Sequence, residues 1–229
     1  YHLCRFYVIQ SRDTNKSQNF EKNVKLKRSR IKSLRFSRII FSQADILFWS
    51  WTSRTTARRI GGRFLNVRDD YYDFATGKRC LHLESILGND FYFPRQVDNA
   101  YSIEYIDLLL QLSWKIRKKL GFMARNEAFE DSLRRFMLEL GVDGKGQSMV
   151  FARVNYHLNT LWLRKKLFKA ILYQVRPKIM YCGNASYGSS AYITKWANDM
   201  NITTVEIQHG FISLDHPGYN YPSLDDCSE

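Results

Sequence analysis

The chain has 229 residues, 45% of them apolar, which is enough to bury a core and too much for a disordered tail. With 12 Gly and 4 Pro and no internal repeat, fibrous and low-complexity classes are excluded. No apolar run reaches the roughly 18–20 residues that span a bilayer, and a formal charge of +13 directs attention to anionic partners.

The opening Tyr1-His2-Leu3-Cys4-Arg5 has neither an initiator Met nor the n- and h-regions of a signal peptide. The expectation is a cytoplasmic chain whose first residues are missing. Phe6-Tyr7-Val8-Ile9 reads as an edge strand, and 11–37 as a polar, basic loop. Within it, Lys22, Lys25, Lys27, Arg28, Arg30, Lys32, Arg35 and Arg38 run without an acidic residue. Three readings of this run compete: a solvated basic face, attraction to an anionic membrane surface or lipid-linked substrate, and nucleic-acid binding. Nucleic acid ranks last, because only Phe36 offers a stacking platform and no zinc-finger, RNP or helix-turn-helix pattern is present.

Ile39-Ile40-Phe41 and Asp45-Ile46-Leu47-Phe48-Trp49 are strand-like, rich in β-branched and aromatic residues. Ser50 to Thr56 follows as a hydroxyl-rich turn, either an anion site or cap or a plain polar loop. Two short strands around a turn fit residues 61–73, and Cys80-Leu81-His82-Leu83-Glu84 alternates as a further strand. Residues 85–100 read as a loop.

From about 101 the period changes. Ile103, Ile106, Leu110 and Trp114 predict an amphipathic helix over 101–120, ending near Gly121. Phe129, Leu133, Phe136, Met137 and Leu140 predict a second over 125–140, stopped at Gly141. A long helix over about 147–175 carries Val150, Val154, His157, Leu161, Leu167, Ile171 and Val175 on its stripe and ends at Pro177. Then come a strand at Lys178–Cys182, a small-residue loop at 183–190, a helix over 191–201 with Ile193, Trp196, Ala197 and Met200 inward, and a strand at Thr203–Ile207. This is a βαβ unit with an expected right-handed crossover. Alternating helices and strands imply a parallel sheet covered on both faces, an α/β fold.

Cys4, Cys80, Cys182 and Cys227 form no CxxC pair, so no zinc pattern exists and reduced thiols are expected. The candidate chemistry collects near the end. Gln208-His209-Gly210 falls at the carboxyl end of the last strand, where open α/β sheets bind ligands. His209 can exchange a proton near neutral pH, and Gly210 lets the backbone turn. A lone His at a strand end is otherwise structural. His216 and Tyr219 lie in a Pro/Gly-framed loop suited to sugar or nucleotide contact, with no third ligand for a metal. Ser186, Gly188 and Ser189 precede a helix N-terminus whose amides could receive an anion, or they form an ordinary strand-to-helix turn.

The stretch Val205-Glu206-Ile207-Gln208-His209-Gly210-Phe211-Ile212-Ser213, followed by His216-Pro217-Gly218-Tyr219-Asn220-Tyr221-Pro222, resembles a segment of bacterial capsule and surface-polysaccharide glycosyltransferase-like proteins. Asp45-Ile46-Leu47-Phe48 with Ser53-Arg54, then Tyr71-Tyr72-Asp73, is similar to their early part. His209-Gly210 is also similar to the Trp-His-Gly-Thr segment of teichoic-acid glycerophosphotransferases, though Gln208 and Phe211 replace the flanking Trp and Thr. The resemblance is most specific over 178–222. It implies the N-terminal, acceptor-side half of a GT-B architecture: a Rossmann-like parallel sheet with flanking helices over 38–229, preceded by the edge strand and basic loop of 1–37. It also implies transfer of a sugar from a nucleotide-activated donor to a lipid-linked or oligosaccharide acceptor. In that reading His209 is the general base or acceptor-positioning group. Gln208, Gly210, His216 and Tyr219 shape the cleft, and Ser186, Gly188 and Ser189 line it. No metal or cofactor is needed beyond the nucleotide sugar, which is a substrate. Segment 22–38 would hold the protein at the inner membrane face. With the donor domain absent, the fragment would be inactive alone. The alternative is a non-catalytic Rossmann-like module that binds a sugar or a protein, with His209 buried and structural.

Overall fold

The computed structural model describes residues 40–52, 56–86, 92–124, 126–183 and 189–206. Its elements in chain order are β1 (Ile46–Thr52), β2 (Ala57–Ile60), β3 (Arg63–Asn66), α1 (Asp70–Thr76), β4 (Cys80–Ile86), β5 (Ala100–Ser102), α2 (Glu104–Lys119), α3 (Glu127–Glu139), α4 (Gly144–Val175), β6 (Ile179–Cys182), α5 (Ser189–Asn198) and β7 (Thr203–Glu206).

Five strands form one sheet in the order β5-β4-β1-β6-β7, with every neighbouring pair parallel. Numbered along the chain within this sheet, the order is 3-2-1-4-5. It runs outward from the central β1 in one direction, then restarts on its other side at β6. In open α/β sheets such a reversal, here at the carboxyl ends of β1 and β6, is where ligands bind. The register sets the levels: Trp49 pairs with Leu83 on one side and Cys182 on the other, and Cys182 pairs with Glu206. β2 and β3 form a separate antiparallel hairpin.

The period-2 pattern of β1, β4 and β6 divides the core. Leu47, Leu81, Leu83, Met180 and Cys182 point to one face, where Ile106 and Leu110 of α2, Phe168, Ile171, Leu172 and Val175 of α4, and Ile193, Trp196 and Ala197 of α5 close over them. Each such side chain, fully buried, contributes about 1.5–3 kcal/mol. On the opposite face, a row of rings crosses three strands. Phe48 stacks on His82 at 4.4 Å and on Tyr181 at 5.0 Å, and Tyr72 of α1 stacks on Tyr181 at 6.0 Å. A second cluster, Leu133 and Met137 of α3 against Val150 and Val154 of α4, lies apart from the sheet.

Helix ends follow local chemistry. The Asn126 side chain accepts from the Phe129 amide and that of Asp143 from the Gly146 amide, capping α3 and α4. Gly121 and Gly141, at φ 73° and 67°, turn the chain after α2 and α3.

The α/β class and the 80–84 strand agree with the sequence reading, and so do the three central helices and the terminal βαβ unit. Four elements differ: Ile40-Phe41 is irregular chain and not strand, and β1 continues to Thr52 where the sequence predicts a turn from Ser50. The paired short strands are 57–60 and 63–66, around Gly61-Gly62, while 70–76 is the helix α1. The loop over 85–100 ends in β5, a strand of three residues. The boundary at 38 and the edge strand at 6–9 lie outside the described residues.

Candidate functional site at the carboxyl end of the sheet

The hairpin, α1 and the segment around Arg95 pack against the β1–β4 half of the sheet, and their polar side chains converge there. Asn66 ends β3, Asp69 and Asp70 start α1, and Glu84 is level with Ser50 near the carboxyl ends of β4 and β1. All are at most 5% exposed, and Arg95 is 3% exposed. A charge this deep needs a partner, and each has one. One Arg95 terminal nitrogen donates to both Glu84 carboxylate oxygens, and the other donates to Asp70. Arg95 Nε donates to the Phe64 carbonyl at 3.2 Å, fixing the fork against β3. The segment itself is tied to β3 by amide bonds of 2.8 Å, Phe64 to Pro94 and Gln96 to Phe64.

Asn66 links the rest. Its amide nitrogen donates to Asp69 at 3.1 Å, Glu84 at 3.3 Å and the Trp51 carbonyl at 3.4 Å, and its backbone N–H donates to Asp70 at 2.8 Å. Burial pushes the Asp69 carboxyl up, against the nearby Ser50 hydroxyl. Burial pushes Asp70 up to about 6, only partly opposed by the Arg95 charge. Asp69 and Asp70 therefore hold a proton more readily than exposed carboxyls do.

His82, fully buried, meets the Asp73 carboxylate through Nε2 at 2.8 Å. That bond holds Asp73 below the usual carboxylate range, so the imidazole donates and the carboxylate accepts. Asp70, His82 and Glu84 each offer a ligand atom, all within 4.8 Å of one another. Arg95 already supplies the cation between two of these three, so the set fits an internal counter-ion better than a metal.

At the point of strand reversal, Trp51 of β1 lies against Gly183, the residue after β6. A Cβ built on Gly183 would fall 2.4 Å from a Trp51 ring carbon, so only glycine allows this approach. The Arg68 guanidinium sits 4.2 Å over the Trp51 ring and donates to the Gly183 carbonyl. Trp51 and Arg68 thus form a partly buried aromatic and cationic ledge at the point of strand reversal, and both backbones are hydrogen-bonded to the Asn66 side chain. Such a ledge can stack a sugar ring and pair an anionic group.

His209, Gln208, Gly210, His216, Tyr219, Ser186 and Gly188 lie outside the described residues, as does the basic segment 22–38. Ser189 opens α5. The strand that precedes Gln208-His209-Gly210 is β7, at the same end of the sheet as the ledge. Cys80 and Cys182 are free, buried thiols, each pushed up to about 11 by burial. Sequence reasoning missed Asn66, Arg68, Asp70, Glu84 and Arg95. A signal existed in the adjacent pair Asp69-Asp70 and in the polar half of Cys80-His82-Glu84.

A cleft of about 520 Å³ opens at the other end of the sheet, lined by Lys78, Arg79, Asn99 and Tyr101 among others. It lies before the amino ends of β1, β4 and β5, away from the ledge. Among the described residues no helix is long and apolar enough to cross a membrane. Compared with protein-family models, curated proteins and solved structures, the chain matches none.

Proposed function

We propose that the chain is the Rossmann-like, acceptor-side domain of a GT-B-type glycosyltransferase of capsule or surface-polysaccharide synthesis. It would help move a sugar from a nucleotide-activated donor to a lipid-linked or oligosaccharide acceptor. The observation that carries this reading is the strand order 3-2-1-4-5 with the Trp51–Arg68–Gly183 ledge at its reversal point. A parallel sheet with that order offers one crevice for a polar ligand, and a ring beside a guanidinium suits a sugar or its phosphate. His209 follows the end of β7 by three residues in sequence, and in this reading its imidazole takes the proton of an acceptor hydroxyl.

In this reading Trp51 and Arg68 hold the acceptor, and Asn66, Glu84 and Arg95 position the ledge without touching substrate, because they are buried. The test is transfer of radiolabelled sugar from a panel of nucleotide sugars by the protein in its full natural length. His209→Ala should lower turnover by roughly 10²–10⁴-fold. Trp51→Ala should raise KM for the acceptor more than it lowers kcat. Unchanged turnover in His209→Ala would remove His209 from the reaction. Acceptor binding retained without any transfer would favour a non-catalytic sugar-binding module.

A further inference from the structure

We propose that the solvent-facing stripe of α2 docks the protein on an anionic lipid bilayer. Leu109, Leu112, Ile116 and Leu120 follow spacings of three, four and four and are 42–58% exposed. They therefore share one side of α2, over about 17 Å at 1.5 Å per residue. Ile106 and Leu110 face the core instead, so this stripe is a second apolar side that the sheet does not use. Phe122, 68% exposed, follows directly after the helix.

The charges around the stripe choose its partner. Lys115 and Lys119 flank the stripe, Lys118 turns away over the Trp114 ring and Arg117 donates to the Phe122 carbonyl, and the sequence carries no acidic residue between Asp107 and Glu127. A second copy of the chain would bring the same cations against these. A nucleic acid would satisfy the lysines but offers no apolar phase for leucine and isoleucine. A bilayer with anionic headgroups supplies both, with acyl chains for the stripe and phosphates for the ammonium groups. The helix would lie in the interface plane. This surface is separate from the ledge, and the inference stands whether or not the transferase reading holds.

The experiment is co-sedimentation of the 229-residue protein with phosphatidylcholine vesicles, with and without phosphatidylglycerol, at low and high salt. Leu112→Ser/Ile116→Ser and Lys115→Gln/Lys119→Gln proteins are compared with the parent, all retaining segment 22–38. These exposed positions should leave far-UV circular dichroism and Tm unchanged. The parent should bind phosphatidylglycerol vesicles, more weakly as salt rises, and each double variant should bind about tenfold more weakly. Equal binding by folded variants would place the contact elsewhere, on 22–38 for example, and overturn the proposal. A parent that ignores the vesicles would overturn it too. So would sedimentation velocity showing a dimer that Leu112→Ser/Ile116→Ser dissociates while vesicle binding is unaffected.

Discussion

Arg95 meets two carboxylates, Glu84 and Asp70, where all three side chains are shut away from water. Removing one member of such a set costs far more than the set contributes, because an unpaired charge stays behind. Arg95→Met is therefore expected to destabilise the fold by about 3–5 kcal/mol in urea unfolding. Adding Glu84→Gln and Asp70→Asn to that variant should recover most of the loss. A plain packing role for Arg95 predicts no recovery. His157 of α4 gives a pH-dependent counterpart. Burial first, then Arg164 and Arg153, push its imidazole down to about 4. Below pH 6.5 the unfolded chain takes up a proton that the folded chain refuses, so stability falls with pH until about 4. Asp70, shifted upward, works in the opposite sense over the window from 3.8 to about 6. The two overlap, and a substitution separates them. Between pH 7 and pH 4.5, His157→Gln should gain about 2–3 kcal/mol relative to the parent, from 1.36 kcal/mol per pH unit. The check is chemical unfolding at both pH values; a constant difference would mean that His157 protonates normally when folded.

At the scale of elements, period decides what can be read in advance. α2, α3, α4 and α5 carry apolar residues at three-to-four spacing, and β6 and β7 are short apolar or β-branched runs, so the second half of the fold is legible in the sequence. β5 is not, because three residues give alternation no room. α1 hides for another reason: Asp70-Tyr71-Tyr72-Asp73-Phe74 mixes aromatic and acidic residues without a stripe, and its burial falls on Asp70. The network at the ledge was harder still. His82 and Glu84 alternate with Leu81 and Leu83, a pattern that ordinarily turns polar residues to solvent. Here α1 and the hairpin cover that face, so the polar half of the strand becomes interior, and its partners come from three separate segments. The β1–β6 seam depends on a similar long-range fit. Gly183→Ala should force Trp51, and Arg68 with it, away from the end of β6, at a cost of about 1–3 kcal/mol. Near-UV circular dichroism and urea unfolding report it; an unchanged aromatic spectrum would show that the seam has slack.

For the whole molecule, sheet topology separates the two surfaces given a role. The ledge belongs to the strand ends, held by the hairpin, α1 and the Arg95 segment. The α2 stripe lies on a helix whose other side closes the main core. A protein held by that stripe would still present its strand ends to a ligand, provided the helix lies flat. The same topology sets an order of events during synthesis. β1 is the central strand, yet its partner β6 begins at Ile179, and 126 residues separate the end of one from the start of the other. At roughly 5–20 residues per second, the ribosome takes about 6–25 s to make that interval. Throughout it the β6 side of β1 offers unpaired amides and carbonyls beside Leu47 and Phe48. Once β4 and β5 have emerged and β4 has paired with β1, the nascent sheet would keep an open central edge until β6 follows. Slower translation would lengthen that exposure and faster chaperone capture would cover it, so yield should depend on both before it depends on the stability of the finished fold.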